Sequence, residues 1–253
     1  GGLSTSVADV ADKFIDEGTI VSTKSRLKFE NSTFTAHKEN TTVPRGIPIV
    51  VLIDRGSASA SEILSGALKD DHLAYLVGQR TYGKGSVQQV IPLSDVDGFK
   101  MTMARYYTPS DVNIDKIGIP PDKEVLYPAF TDEQEKIYEK LIKSQTVEKY
   151  VDAHPGMSEK DITAYAALLQ TEYPLDASLL RRIIRLRATH LTGTPLIDLD
   201  YDIQLNAALD ILRKGDFQYL VKSTKTLKQL QDEAAAKDAA LKKDAAKTES
   251  SAD

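Results

Sequence analysis

The chain contains no cysteine among its 253 residues, which excludes disulfides, thiol nucleophiles and thiolate metal sites. No apolar run approaches the ~20 residues that a helix needs to span a bilayer, and no charged-then-apolar export signal opens the chain. Positive charge is in deficit, since 32 Lys and Arg face 37 Asp and Glu. The net charge of -5 means that the chain has no excess of positive charge with which to bind nucleic acid. What remains, 41% hydrophobic and 27% charged residues, is typical of a globular protein.

The most informative stretch runs from residue 47 to residue 89. An apolar run at 47–53 leads through Asp54-Arg55-Gly56 into Ser-Ala-Ser-Ala-Ser-Glu at 57–62, which opens a helical pattern. A second apolar run at 73–77 leads to Gly83-Lys84-Gly85. A buried strand that turns through small residues into a helix presents the first helical side chains at its carboxyl end. A serine there meets the positive end of the helix dipole, and with a nearby lysine it can form a nucleophile and its base.

Together these motifs resemble the active-site region of carboxyl-terminal processing proteases, which are tail-specific serine proteases of the Ser-Lys type. In that family the nucleophile is the middle serine of the small-residue run, and the base is the lysine between two glycines. The resemblance implies Ser59 as the nucleophile, Lys84 as the general base and Gln88 as the residue that orients the lysine. It covers roughly the first half of the chain and implies that no metal or cofactor is needed.

The opening Gly1-Gly2-Leu3 resembles the end of another motif of this family, Asp-Leu-Arg-Asn-x-x-Gly-Gly, whose second glycine helps to form the oxyanion hole. The resemblance therefore assigns oxyanion stabilisation to the amides of Gly2 and Ala60. It also implies that the chain is N-terminally truncated and lacks the PDZ module and export signal of full-length relatives.

The chemistry of a lysine base makes a structural prediction. A lysine can remove a serine proton only when it is neutral, and burial favours the neutral amine. We therefore expect Lys84 to be buried. No acidic residue between 81 and 93 would hold its ammonium group charged through a local ion pair. The carbonyl oxygen of Gln88 can accept a hydrogen bond from the amine without adding charge.

Each of these residues also has an ordinary structural interpretation. Ser59 and Glu62 have the spacing of a capping box, and Ser57 and Ser61 compete for any role; only the resemblance selects Ser59. A lysine between glycines can be a turn residue, although the earlier glycine of a Walker A phosphate loop is missing. Four scattered histidines are expected to be surface or core residues, and His72 follows the same helix too closely to reach Ser59.

Short strands that alternate with helices predict an α/β core, and the resemblance implies a crotonase/ClpP-like spiral of β-β-α units. Helical periodicity follows at 135–151, 159–173, 177–191 and 202–214. We therefore expect a protease core at 1–127, incomplete at its N-terminus, and a helical C-terminal domain at 128–225. Residues 226–253, rich in Ala, Lys, Asp and Ser, are predicted to form a frayed helix or a disordered tail. Interleaved arginines at 181–187 indicate a solvated face, or else a contact with an acidic partner or with the protease core.

The sequence thus predicts a serine endopeptidase that cleaves near the C-terminus of proteins with nonpolar tails, in the periplasm or cell envelope. Whether the fragment is active alone is left open. A retired protease that serves as a scaffold or adaptor through its helical half, with possible homo-oligomerisation, is the alternative. A crotonase-like acyl-CoA enzyme is a further rival, but it leaves the spacing of Lys84 and Gln88 unexplained.

Overall fold

The structure is a computed structural model that describes residue 2, residues 4–193 and residues 197–249. These residues form two compact units. The first contains the described residues up to Val125 and those from Ala208 onward, and the second is Leu126–Ala207. The first division lies close to the predicted boundary at 127/128. The second differs, because residues 208–225 fall with the first unit rather than with the helical domain.

Helices and strands alternate through the first part of the chain: α1 (Ser4–Ala11), β1 (Glu17–Ser25), β2 (Ser32–His37), β3 (Val50–Ile53), α2 (Ala60–Asp70), β4 (Tyr75–Gly78), β5 (Ser86–Pro92), β6 (Gly98–Tyr107) and β7 (Lys123–Glu124). Helices alone follow: α3 (Asp132–Ser144), α4 (Thr146–Ala153), α5 (Glu159–Glu172), α6 (Ala177–Thr192), α7 (Ile203–Arg213), α8 (Phe217–Lys222) and α9 (Leu227–Glu249). The predicted α/β class with a helical C-terminal region is confirmed. No helix in these described ranges has the length and apolar character to cross a membrane.

The strands form two sheets. The first is antiparallel with the order β2-β1-β6-β5, and Ser86 of β5 lies opposite Arg105 of β6. The second is parallel with the order β3-β4-β7, and Ile53 of β3 lies opposite Gly78 of β4. The parallel pairing brings the carboxyl end of β3, where the serine-rich turn begins, beside the end of β4, from which the lysine segment departs. The spiral of β-β-α units stays a prediction.

Helix α2 is central to the core of the first unit. Its apolar side chains Ile63, Ala67 and Leu68 are at most 3% exposed and belong to one cluster with residues of both sheets. Leu227, the first residue of α9, is 4% exposed and belongs to the same cluster. The segment predicted to be a frayed or disordered tail therefore begins inside the core.

Strand β3 is less buried than its apolar sequence predicts. It is the end strand of its sheet within the described part of the chain, and Leu52 is 41% exposed. The expectation of a buried strand is wrong here because a continuous apolar run does not specify how many neighbours its strand has.

The second unit has its own apolar core, in which Leu141, Leu180 and Ile184 are almost completely buried. Three of the four predicted helical segments are single helices. The segment at 135–151 is instead divided between α3 and α4 by Gln145, whose φ of 54° lies in the left-handed region.

The arginines of α6 are not a solvated face. The Arg185 guanidinium donates to the carboxylates of Glu159 and, at 2.6 Å, Asp198, while Arg187 pairs with Asp152 at 2.8 Å. The sequence alone does not reveal these ion pairs, because the acidic partners come from segments distant in sequence.

Candidate active site

The candidate nucleophile lies in a strained turn between β3 and α2. After β3, the Asp54 carboxylate accepts hydrogen bonds from the N–H groups of Gly56 (2.9 Å) and Ser57 (3.0 Å), which closes a turn. Ser59, half-buried, directly precedes α2 with φ 59° and ψ -116°. Such a conformation is uncommon for a residue other than glycine and costs ~1–3 kcal/mol. The turn resembles in kind the strained strand-to-helix turns that expose nucleophilic serines.

A buried carboxylate connects this turn to the lysine segment. Glu62 has no solvent exposure, and its side chain accepts four hydrogen bonds. Oε2 accepts from the N–H groups of Ser59 (2.9 Å) and Lys84 (2.8 Å). Oε1 accepts from the Gly83 N–H (2.7 Å) and the Thr81 hydroxyl (2.5 Å). One carboxylate therefore fixes the backbones of both candidate catalytic residues.

Residues 114–119 hold the lysine segment from another side. The Lys116 N–H donates to the Gly83 carbonyl at 2.7 Å. A Cβ atom on Gly83 would lie 2.9 Å from the Ile117 nitrogen, and one on Gly85 would lie 2.5 Å from the Asp115 nitrogen. The two glycines beside the lysine thus permit backbones to approach more closely than any side chain would allow.

The two candidate oxyanion donors lie near each other. A Cβ atom built on Gly2 would contact the Ala60 Cβ at 3.9 Å. Ala60 is the first residue of α2, where a backbone N–H has no acceptor within the helix. Gly1 and Leu3, the rest of the opening motif, lie outside the described residues.

Lys84 and Gln88 do not meet the expectation from sequence, since both are exposed. The Gln88 amide nitrogen lies 3.4 Å from the Thr102 hydroxyl, and within the described ranges no hydrogen bond joins the side chains of Lys84, Gln88 and Ser59. The prediction that Lys84 is buried is wrong for this structure. The reason is that residues 81–85 alternate between buried and exposed positions, with Thr81, Gly83 and Gly85 buried and Lys84 on the exposed side.

The geometry still allows the two side chains to meet. Because the amides of Ser59 and Lys84 bind the same oxygen atom, their backbones are held within two hydrogen-bond lengths. The flexible four-carbon stem of a lysine can bridge such a separation. Catalytic hydrogen bonds are often long in structures without substrate and tighten in the substrate complex.

Sequence reasoning identified the turn and the lysine segment but missed what joins them. In the sequence Glu62 has only the spacing of a capping residue, and Thr81 belongs to no recognisable pattern. The capping spacing accounts for one of the four bonds of the carboxylate. The other three come from residues about 20 positions away, and no local pattern signals them.

An α/β fold with a serine at a strained strand-to-helix turn, and a lysine held beside it, has the features of the serine-hydrolase class. Residues 1–125, just under half of the chain, match the model of Peptidase family S41.

The relatives that this chain resembles are named as C-terminal processing proteases. The chain is 36% identical over 198 residues to a carboxy-terminal-processing protease of Bartonella bacilliformis, with 77% of this chain and 44% of that one covered. It is 46% identical over 128 residues to a carboxyl-terminal-processing protease of Synechocystis sp., with 51% and 29% covered. A solved structure of a photosystem II D1 C-terminal processing protease is 41% identical over 49% of this chain and 32% of that one, with a TM-score of 0.45. The chain spans less than half the length of these relatives.

Proposed function

We propose that the chain is the catalytic part of a serine endopeptidase that processes the C-termini of proteins. Ser59 is the nucleophile, Lys84 the general base and Gln88 the residue that orients the amine. The observation that carries this proposal is the shared carboxylate of Glu62, which binds the backbone N–H groups of both Ser59 and Lys84. Structural roles alone do not require a strained serine and a glycine-flanked lysine to be fixed by one oxygen atom.

The reaction follows from these positions. The Ser59 hydroxyl attacks the peptide carbonyl while the neutral Lys84 amine takes its proton. The negative charge that develops on the carbonyl oxygen faces the N–H groups of Gly2 and Ala60, where one donor is typically worth ~3–4 kcal/mol. Lys84 then returns the proton to the leaving amine. Water attacks the acyl-enzyme with Lys84 again as base, which releases the carboxylate product and the free serine.

This mechanism requires Lys84 to leave the solvent. Turning its side chain from the surface toward Ser59, under a bound substrate, replaces water around the amine and favours its neutral form. The Gln88 carbonyl oxygen would then accept a hydrogen bond from the amine and fix its direction. The exposed lysine is thus assigned to the substrate-free arrangement.

We further propose that substrates present nonpolar C-terminal tails and that the protein acts in the periplasm or cell envelope. The printed names of the relatives support C-terminal processing, and bacterial proteins are among them. The preference for nonpolar tails and the location depend on family resemblance alone. An adaptor or oligomerisation role of the helical unit also stays a prediction.

The deciding experiment measures cleavage of an unstructured peptide with an apolar C-terminal tail by the full-length protein that contains this chain. Ser59→Ala and Lys84→Ala are each expected to reduce cleavage to background. Ser61→Ala and Lys100→Ala, exposed residues of the same types, serve as matched controls and are expected to retain it. Near-normal activity of Lys84→Ala would refute the proposed base. A folded wild type that cleaves no better than Ser59→Ala would favour the scaffold alternative.

A further inference from the structure

Thr81 occupies an unusual position beside the candidate site. It is 5% exposed, and its hydroxyl oxygen lies 2.5 Å from Glu62 Oε1 and 2.6 Å from the backbone nitrogen of Ile119. The Thr81 N–H also donates to the Ile119 carbonyl at 3.1 Å. The side chain and the backbone of one residue thus join the lysine segment to the loop that supports it.

The direction of these hydrogen bonds follows from their chemistry. A backbone N–H can only donate, so the Thr81 hydroxyl must accept from Ile119. Backbone N–H groups donate to both oxygens of Glu62, so these oxygens act as acceptors and the Thr81 hydroxyl proton points to Oε1. The hydroxyl is therefore a relay with one fixed orientation, and both of its partners need it.

Glu62 depends on this relay for its own orientation. Each carboxylate oxygen has two donors: Thr81 and Gly83 at Oε1, and Ser59 and Lys84 at Oε2. Without the Thr81 hydroxyl, Oε1 would keep a single donor in a place that water does not reach. The carboxylate could then rotate, and its second oxygen would no longer fix the two catalytic backbones in one geometry.

The backbone around the Thr81 hydroxyl is closely packed. A Cβ atom on Gly118 would lie 2.3 Å from the Thr81 carbonyl oxygen and 3.1 Å from its hydroxyl oxygen.

Valine has nearly the shape of threonine but replaces the hydroxyl with a methyl group. Serine retains the hydroxyl and lacks only the methyl group. These two substitutions separate hydrogen bonding from packing.

We propose that Thr81 is a positioning residue for Ser59 and Lys84 that acts through the carboxylate of Glu62. This inference rests on the proposed peptidase function, because it concerns the geometry of the same site.

The first test is kinetic and uses the full-length protein with the apolar-tailed peptide. Thr81→Val is expected to lower kcat by roughly 10–100-fold, the loss that a small misplacement of reacting groups produces, while KM changes by no more than about twofold. Thr81→Ser is expected to restore most of kcat. Thr108→Val is the matched control, because Thr108 is also 5% exposed in the first unit and its hydroxyl contacts Ser110 instead of Glu62. Equal kcat values for Thr81→Val and Thr108→Val would overturn the proposal.

The second test does not depend on activity. Amide hydrogen exchange is expected to accelerate at Ser59, Gly83 and Lys84 in Thr81→Val but not in Thr108→Val, and unchanged exchange would also overturn the proposal. If wild type fails to cleave the peptide, the proposed function fails, and exchange still decides the role of Thr81. If Thr81→Val does not fold, Thr81→Cys replaces it, since a thiol is only a weak donor and acceptor. An unchanged kcat or unchanged exchange in that variant would count against the relay.

Discussion

At the scale of single residues, the energetic balance around Ser59 explains why a strained turn persists. The φ of 59° costs ~1–3 kcal/mol. A hydrogen bond to a charged group contributes about 1.5–3 kcal/mol, and the Ser59 N–H donates one to the Glu62 carboxylate. The free energy of one such bond is comparable to the cost of the strained φ. The three further donors hold the Glu62 carboxylate in place, so the turn at Ser59 cannot easily relax. The strained turn is therefore a property of the carboxylate network as much as of Ser59.

The acidic residue that directly follows α2 gives a prediction about pH. Burial, reinforced by the neighbouring charge of Asp70, raises the pKa of Asp71 from 3.8 to about 6. Its Oδ2 atom is buried without a hydrogen-bond partner in the described structure, and it follows the negative end of the helix dipole. The folded protein keeps this proton to a higher pH than the unfolded chain does. Asp71 therefore lowers the free energy of unfolding as pH rises from about 4 to about 6, and its effect is constant at higher pH, where both states are ionised.

Asp71→Asn removes this charge, so we expect the variant to be more stable than wild type at pH 8 by about 1–2 kcal/mol, discounted for partial exposure. At pH 4 the difference should largely disappear. Urea unfolding at the two pH values measures both quantities. Asp95→Asn, at an exposed position, is the control for the effect of the substitution itself. A variant less stable than wild type at pH 8 would contradict the assignment.

What the sequence could predict at this scale depended on the range of the interactions. The small-residue run and Gly83-Lys84-Gly85 are local patterns, and the structure places both where a strand ends, as expected. The bonds of Glu62 to residues 81–84 form only when two distant segments meet, so no spacing rule reveals them. The exposure of Lys84 had the same origin, since it depends on which side of residues 81–85 packs against Glu62 and the loop at 114–119.

At the scale of secondary structure, the principal strands and α2 were predictable because their apolar patterns are strong. Gln145 shows the limit of periodicity, which continues across a break that a single left-handed residue makes between α3 and α4. The loop at 114–119 shows another limit. This loop can approach the lysine segment closely because Gly83 and Gly85 have no side chain. The sequence does not distinguish such glycines from those of a flexible loop.

The stability cost of adding a side chain at this close approach can be measured by comparing substitutions of two glycines. Gly46 and Gly83 both have positive φ, at 92° and 86°, but a Cβ on Gly46 would meet nothing within 4 Å. Gly46→Ala should therefore cost only the conformational term of about 1–2 kcal/mol. Gly83→Ala should cost about 1–3 kcal/mol more, because its Cβ would meet backbone atoms of Ile117 and Gly118 that cannot rotate away. Equal urea midpoints for the two variants would show that the loop accommodates the methyl group.

At the scale of the whole molecule, the first unit is assembled from the two ends of the chain. The Leu227 N–H donates to Asp70 Oδ1 at 2.7 Å, and His72 Nδ1 lies 3.1 Å from the Thr224 hydroxyl. The same Asp70 carboxylate accepts from the Ser110 hydroxyl at 2.6 Å. Composition alone predicted a frayed helix or a disordered tail at 226–253, because one buried leucine and a few capping bonds do not alter a bulk composition of Ala, Lys and Asp.

Truncation at two positions tests whether the start of α9 is structural. Removal of residues 242–253 should change the free energy of unfolding by less than about 0.5 kcal/mol, since the described side chains from 231 onward are exposed. Removal of residues 226–253 should cost about 2–5 kcal/mol or more, because it also deletes Leu227 from the core and removes the Leu227 N–H donor from Asp70 Oδ1. Leu227→Ala and Leu241→Ala provide the same comparison without truncation, because the two leucines are 4% and 68% exposed. Urea unfolding of the four proteins measures the differences. If the two truncated chains unfold at the same urea concentration as wild type, the first turn of α9 contributes nothing to the core, and residues 226–253 are the tail that their composition predicts.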